Sequence, residues 1–279
     1  MNSNQQMKKI TYLLAFVLTG SALAQEDCNL QYDGNGDGAV NVEDVLGVLS
    51  EFGEVCEPGF VTCGDNISFD GYSYSTVLIG DQCWFKENLR STHYANGDEI
   101  LGDATSAEWL NYAENGIGAQ AIYYNANSLE NFGRLYNWWA VDDERGLCPS
   151  GWHVPSDGEF NVLEISLGMP EEEANDGGER GIDHGIKMRS SPEDTPAWNG
   201  SNSSGFSALP AGYRYFPGSF YHENDDAYFW TSTISEDQAW SRKIRPDVGG
   251  VHRYPCYPSG FCSAIGARGT GFSVRCIMD

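Results

Sequence analysis

YSYSTVLIGDQCWFKEN, Tyr72 to Asn88, decides how the larger part of this chain folds. Two runs rich in Tyr, Val, Ile, Trp and Phe flank Gly80 and Asp81, a pair suited to a tight hairpin turn. The stretch predicts strands over 72–79 and 82–88, paired antiparallel. Downstream, Ser156 followed three residues later by Glu159 forms a capping box, so a helix is expected to begin at Ser156 and to stop at Gly168 after Leu167. A shorter helix is expected over Gly133 to Val141. Further short strands are predicted at SALPAGYR (207–214), AYFWTST (227–233), AWSRKIR (239–245) and GFSVRCI (271–277). From about 169 to 203 the chain is rich in Gly, Glu, Asp and Ser without periodicity, which reads as long loops. The predicted class is α+β, with 8 Trp, 15 Tyr and 13 Phe filling a core between irregular segments.

Upstream of the hairpin the pattern changes. Lys8 and Lys9 precede an apolar run from Ile10 to Leu18, and Ala22, Leu23 and Ala24 supply a small-x-small cleavage pattern. Residues 1–24 therefore read as a secretory signal, and the expected location is outside the cytoplasm, extracellular or periplasmic. DGNGDGAVNVED, Asp33 to Asp44, then has the spacing of a calcium loop. Asp33, Asn35, Asp37, Asn41 and Asp44 fall on its side-chain ligand positions, Ala39 supplies a backbone carbonyl, and Gly38 occupies the sharp turn. Calcium takes about six to eight oxygens, and this loop provides them from carboxylates, amides and one main-chain group. Val42, Val45, Leu46, Leu49 and Phe52 follow at helical spacing before Gly53. Because the loop ends in Asp44 and not Glu, the loop-helix unit is similar to a dockerin repeat. A dockerin pairs two such units and only one is visible. The expected organisation is 1–24 signal, 25–56 calcium unit, 57–65 linker and 66–279 main domain.

Charge and cysteines bound the partners. The formal net charge is −24, and removal of Lys8 and Lys9 would make it more negative, so nucleic acid and anionic membrane surfaces are excluded as partners. No stretch beyond the signal reaches the roughly 18 apolar residues of a membrane span, so no membrane insertion is expected. Eight cysteines in an exported chain read as four disulfides. Proximity in sequence favours Cys28 with Cys56, Cys63 with Cys83 and Cys256 with Cys262, leaving Cys148 with Cys276. No CxxC pair points to a metal thiolate site.

The segments LIGDQCWFKENL (78–89), GRLYNWWAV (133–141), CPSGWHVPSDGEF (148–160), SSGFSALPAGYR (203–214), AYFWTST and GFSVRCIMD (271–279) resemble the Fibrobacter succinogenes major paralogous domain, in that family's order. The resemblance implies a C-type-lectin-like fold: a hairpin, two helices, a loop-rich middle and a last strand returning beside the first. It assigns no activity. The Glu-Pro-Asn and Gln-Pro-Asp triplets of calcium-dependent lectins are missing, which argues against a calcium-bridged sugar. Apolar sugar faces suit aromatic rings, and Trp198, Tyr215, Phe216 and Tyr221 are the rings considered for that role. The segments HENDDAY (222–228) and NDGGERGIDHG (175–185) are considered for a second calcium, against the plainer reading of solvated acidic loops.

The resemblance also raises an enzymatic alternative, since formylglycine-generating oxidases of the same fold carry a cysteine pair where Cys256 and Cys262 stand. Such a thiolate needs cationic neighbours, and Arg253 and Arg268 are near in sequence. The spacing of this pair is one residue longer than expected there. His93, His153, His184, His222 and His252 show no metal-ligand spacing, and no GxSxG or HExxH string occurs. His153 reads as a loop brace. The sequence therefore predicts a secreted, non-enzymatic, calcium-binding recognition or attachment protein whose partner is a glycan or a cell-surface protein.

Overall fold

The computed structural model describes residues 62–123, 126–236, 238–255 and 264–279. Strands β1 (Ile67–Phe69) and β2 (Tyr72–Tyr74) form a ribbon turned at Asp70 and Gly71. β3 (Thr76–Ile79) and β4 (Gln82–Phe85) then pair antiparallel with Ile79 opposite Gln82, leaving Gly80 and Asp81 as the turn. Gly80 takes φ 61°, and its bare Cα lies where a Cβ would meet Ser166. Helix α1 (Ser106–Asn115), β5 (Gln120–Ala121), α2 (Ala126–Phe132), β6 (Leu135–Asn137), α3 (Trp138–Val141) and β7 (Trp152–His153) lead to α4 (Asp157–Ser166). Next come α5 (Glu171–Ala174), β8 (Gly178–Arg180) and α6 (His184–Met188). The remainder is mostly sheet: β9 (Ala211–Arg214), β10 (Phe220–Glu223), β11 (Ala227–Ser235), β12 (Gln238–Ile244), β13 (Val251–Tyr254), α7 (Ala264–Gly269), β14 (Gly271–Phe272) and β15 (Ile277–Met278).

Three larger sheets result, ordered β3-β4-β15-β7, β10-β9-β14-β6-β5 and β11-β12-β13-β8. The protein is thus α+β with sheet predominating, and its last strand returns beside β4. By internal contacts the chain divides into residues 1–62 and 63–279, and every element named here belongs to the second unit. Among the described residues no helix is long and apolar enough to cross a membrane.

Helix α4 begins where the capping box places it: the Ser156 hydroxyl accepts from Glu159 N–H, while Glu159 Oε2 accepts from Ser156 N–H at 2.7 Å. Four expectations require correction. The run 72–79 is not one strand but breaks at Ser75 into β2, which pairs with β1, and β3, and the partner strand ends at Phe85 short of Asn88. Gly133–Val141 is not one helix, because Leu135 and Tyr136 are buried as β6 between β5 and β14, and only Trp138–Val141 is helical. Asn137 makes the switch, its Oδ1 capping Ala140 N–H. Residues 169–203 are not only loops, since α5, β8 and α6 lie among them; β8 is recruited by pairing with β13. GFSVRCI is two short strands, interrupted where Arg275 turns inward. Helix α1 was not anticipated, although Thr105 and Glu108 form a second capping box.

The core has two main aromatic clusters. One gathers Tyr74, Phe85, Tyr136, Trp138, Trp152, Tyr228, Trp230 and Phe272, and the other Trp84, Phe160, Phe206 and Phe229. Two of the expected disulfides lie among the described residues, and both are formed: Cys63–Cys83 at 2.03 Å and Cys148–Cys276 at 2.01 Å.

Charge is also buried. Asp157, Asn161 and Glu164 share the inner face of α4 at spacings of four and three residues, the helical neighbour positions. Arg242 donates to Asp157 Oδ1 at 2.7 Å and to Glu164 Oε1 at 2.8 Å, while Arg253 grips Asp157 Oδ2 at 2.6 Å. Arg180 lies 2.8 Å from Glu164 Oε2. Burial alone would raise the Asp157 carboxyl, but Arg253 and Arg242 outweigh it and hold that group below its usual range. Arg275 sits in a cage with no carboxylate contact among the described residues, donating to Asn88 Oδ1 and to the carbonyls of Phe85, Phe206 and Ser207. Burial pushes its guanidinium down to about 9, so it remains charged at neutral pH.

Candidate functional site

The β9–β10 hairpin concentrates exposed aromatic and acidic side chains. Its strands pair with Tyr213 directly opposite Tyr221, and Tyr215 N–H donates to the Ser219 carbonyl at 2.7 Å to close the loop. Strand alternation puts Tyr213 and Tyr215 on one face. Tyr213 is buried against Tyr228 and Phe272, ring centroids 5.0 and 6.1 Å away. Tyr221 lies beside it at 5.6 Å with the rings 30° apart, and keeps 44% of its surface exposed. Tyr215 stands nearly upright to that pair, 6.3 Å from Tyr221 at 74°, and Phe216 packs on Tyr215 at 4.7 Å. The result is an aromatic floor with an aromatic wall. Burial raises the Tyr215 phenol, with Tyr221 adding to the effect.

The opposite face holds the hairpin in place. Arg214 donates to the carbonyls of Gly218 and Ala104 and lies over the rings of Trp109 and Phe220. Gly218, at φ 105°, passes so close to Ser106 that a Cβ would come within 2.4 Å of its Cα.

A polar knuckle adjoins the rings. His222 and Asn224 both have left-handed backbones, φ 62° and 63°, and the His222 ring stacks on Tyr213 at 5.8 Å. Non-glycine residues seldom adopt that region, and its cost is met here by hydrogen bonds from Asp225 and Asp226 N–H to the His222 carbonyl. His222 Nδ1 lies 3.0 Å from Asp225 Oδ2 and 3.6 Å from Asp226 Oδ2. Asp226 is buried, and its Oδ2 also accepts from Tyr228 Oη and Lys243 Nζ, both at 2.9 Å. Glu223 accepts from the Ser128 hydroxyl.

His222, Asp225 and Asp226 place one ligand atom each within 4.8 Å of one another. As a calcium site the set fits poorly. It offers three side chains, one of them already neutralised by Lys243, where a hard cation takes about six to eight oxygens.

Of the rings singled out in the sequence, Tyr215, Phe216 and Tyr221 are therefore brought together. Trp198 is elsewhere, 5.5 Å from the Arg189 guanidinium. The calcium loop, Asp33 to Asp44, lies outside the described residues, as do Cys28, Cys56, Cys256 and Cys262. Arg253 is held by Asp157 and Trp240, and Arg268 lies 5.1 Å from both Trp138 and Trp139. His153 braces a corner, accepting or donating at Glu159 Oε1 (2.8 Å) and Asp279 Oδ1 (2.6 Å). Sequence reasoning missed the role of Tyr213, whose alternation with Tyr215 in GYRYF was a readable signal.

Residues 77–278 match the model of the family described as the Fibrobacter succinogenes major domain. The chain belongs to this family. No curated protein and no solved structure matches it. The match begins inside β3 and ends at β15, so the aromatic hairpin, the α4 charge network and the Cys148–Cys276 disulfide all belong to the Fibrobacter succinogenes major domain.

Proposed function

We propose that this protein is a secreted, non-enzymatic recognition module that binds glycan at the β9–β10 hairpin. The observation that carries this reading is Tyr221, a ring left 44% exposed beside Tyr215 and Phe216 and next to the hydrogen-bonding groups of His222 and Asp225. A sugar presents an apolar face and a hydroxyl rim, and this site offers a surface of matching kind for each. The C-type-lectin-like reading of the fold draws support from β15 returning beside the opening hairpin. Calcium belongs to the same proposal through the Asp33–Asp44 spacing, where it would stabilise the N-terminal unit and leave the hairpin's sugar chemistry unchanged.

A glycan array on the mature chain, with calcium and with a chelator, tests both parts. Binding that persists in chelator and is lost in Tyr221→Ala supports the hairpin. Binding unaffected by Tyr221→Ala overturns it. Calorimetry on the intact chain and on Asp37→Ala tests the calcium loop separately, and equal heats in the two would remove calcium from that loop.

A further inference from the structure

Among the described residues the cations are largely covered or ion-paired. All fourteen Lys and Arg residues from Lys86 to Arg275 are buried or half-buried, and none is fully exposed, whereas exposed carboxylates occur throughout the described surface. At the β9–β10 hairpin this becomes local and specific. Asp225 keeps 55% of its side chain exposed and His222 39%. The cations nearest in the fold are already engaged: Lys243 with Asp226, Arg245 with Asp247, and Arg214 with the carbonyls of Gly218 and Ala104 on the other face. The floor of the site is the ring of Tyr221, whose π face is negative. An acidic sugar would meet carboxylates at the hairpin, where the neighbouring Lys and Arg side chains among the described residues already have partners. An ammonium is attracted both to a ring face and to an exposed carboxylate, and the hairpin carries one of each in Tyr221 and Asp225.

Resting on the glycan reading above, we propose that the hairpin selects an amine-bearing sugar, a hexosamine unit with a free amino group, over its neutral and acidic counterparts. The apolar ring face of the sugar lies on Tyr221 against the wall formed by Tyr215 and Phe216. Its ammonium is directed to Asp225, and its hydroxyls reach His222. Selection of charge lies with Asp225, and selection of a sugar lies with Tyr221.

The test uses the full mature chain and three probes at pH 6: a glucosamine tetrasaccharide, its fully N-acetylated counterpart and a galacturonate tetrasaccharide, each titrated calorimetrically. The glucosamine probe should bind at least tenfold more tightly than the N-acetylated one, with no measurable binding of the uronate. Asp225→Asn should reduce the tenfold preference to within twofold, and Tyr221→Ala should abolish binding of both amino-sugar probes. Equal affinity for the free and N-acetylated forms would overturn the charge selection and leave the glycan reading standing. Failure of all three probes to bind would sink the glycan reading for this site together with the inference. A lysine tetrapeptide that binds as tightly as the glucosamine probe would overturn the inference in favour of unselective charge attraction.

Discussion

Asp157 and Asp225 meet opposite fates in one molecule. Asp157 is buried on α4 and held by two guanidiniums, with Arg253 itself 3.7 Å over the Trp240 ring. Asp225 stands in solvent with the imidazole of His222 for its neighbour. The interior has drawn in the basic side chains and compensated its own carboxylates; the surface has been left acidic. The contrast shows where each kind of specificity lies. Inside, charge fixes which strands face α4, because Arg242 of β12 bridges both carboxylates, Arg253 of β13 holds Asp157 and Arg180 of β8 lies against Glu164. Outside, carboxylates outnumber the cations that pair with them, and Asp225 has only the His222 ring as its partner.

The comparison breaks most severely at Arg242. In Arg242→Met the helix keeps Asp157 and Glu164 but loses the one cation that bridges them, and a broken buried pair costs about 3–5 kcal/mol. Chemical denaturation should show a loss of that size with an unchanged m-value. A loss below about 1 kcal/mol would mean that water reaches these carboxylates and that the interior is not different in kind from the surface. Asp157 also ties this region to acid. Its carboxyl titrates below the usual value, so its contribution is complete above about pH 4 and is lost as pH falls through the lowered value. Asp157→Asn should be less stable at pH 7 and should lose less on acidification from pH 5 to pH 2.

The two regions were unequally legible in the sequence. The hairpin was half readable, because Tyr215, Phe216 and Tyr221 are near neighbours in the chain and a short turn must bring them together. The charge network was not. Asp157 and Glu164 lie on a helix whose capping box was read correctly, yet acidic residues on a helix are ordinarily its solvent face. The partners of Asp157 arrive from 85 and 96 residues away and the Arg242 partner of Glu164 from 78, separations that no local pattern encodes. The same non-local pairing explains Leu135–Asn137, where burial between two strands overrode a helical pattern. Helix α1 failed for a different reason: Thr105 and Glu108 carried the start signal, but the segment buries only Trp109 and Ala113, too few apolar positions to declare a period.

Two histidines sharpen the comparison at intermediate pH. Burial tends to lower His153, but Asp279 and Glu159 outweigh it and raise this group. Burial lowers His184, with Lys187 adding to it and outweighing Asp183, 3.8 Å from Nδ1; among the described residues its ring nitrogens have no hydrogen-bond partner. A raised imidazole contributes stability that is full below about pH 6.5 and fades as pH rises through the folded value. A lowered one has the opposite sign, and stability is lost as pH falls below that point. The melting temperature of the parent should therefore pass through a shallow maximum between about pH 6 and 8. His153→Gln should flatten the alkaline limb and His184→Leu the acid limb. If His184→Leu leaves the acid limb unchanged, burial does not hold that imidazole neutral in the fold.

Salt separates surface from interior directly. Raising ionic strength from 0.01 to 0.15 M shortens screening from about 30 Å to about 8 Å, which weakens repulsion among exposed carboxylates but hardly touches pairs sealed beneath α4. The melting temperature should rise by roughly 2–4 °C, equivalent to about 1 kcal/mol for a chain of this size. A fall on adding salt would show that attraction between opposite charges outweighs surface repulsion.

The smallest expected change in stability is at the hairpin. Tyr221 is exposed at the edge of its sheet, and Asp225 makes its hydrogen bond to a histidine in solvent, so Tyr221→Ala and Asp225→Asn should each shift unfolding by no more than about 0.5 kcal/mol. Tyr213→Ala is the internal control: that ring is buried against Tyr228 and Phe272, and its loss should cost about 3–5 kcal/mol as a large-to-small core change. Denaturation of the three variants side by side checks this order. If Tyr221→Ala proved as destabilising as Tyr213→Ala, the outer ring would belong to the core, and an aromatic side chain needed for packing would no longer be evidence for a ligand.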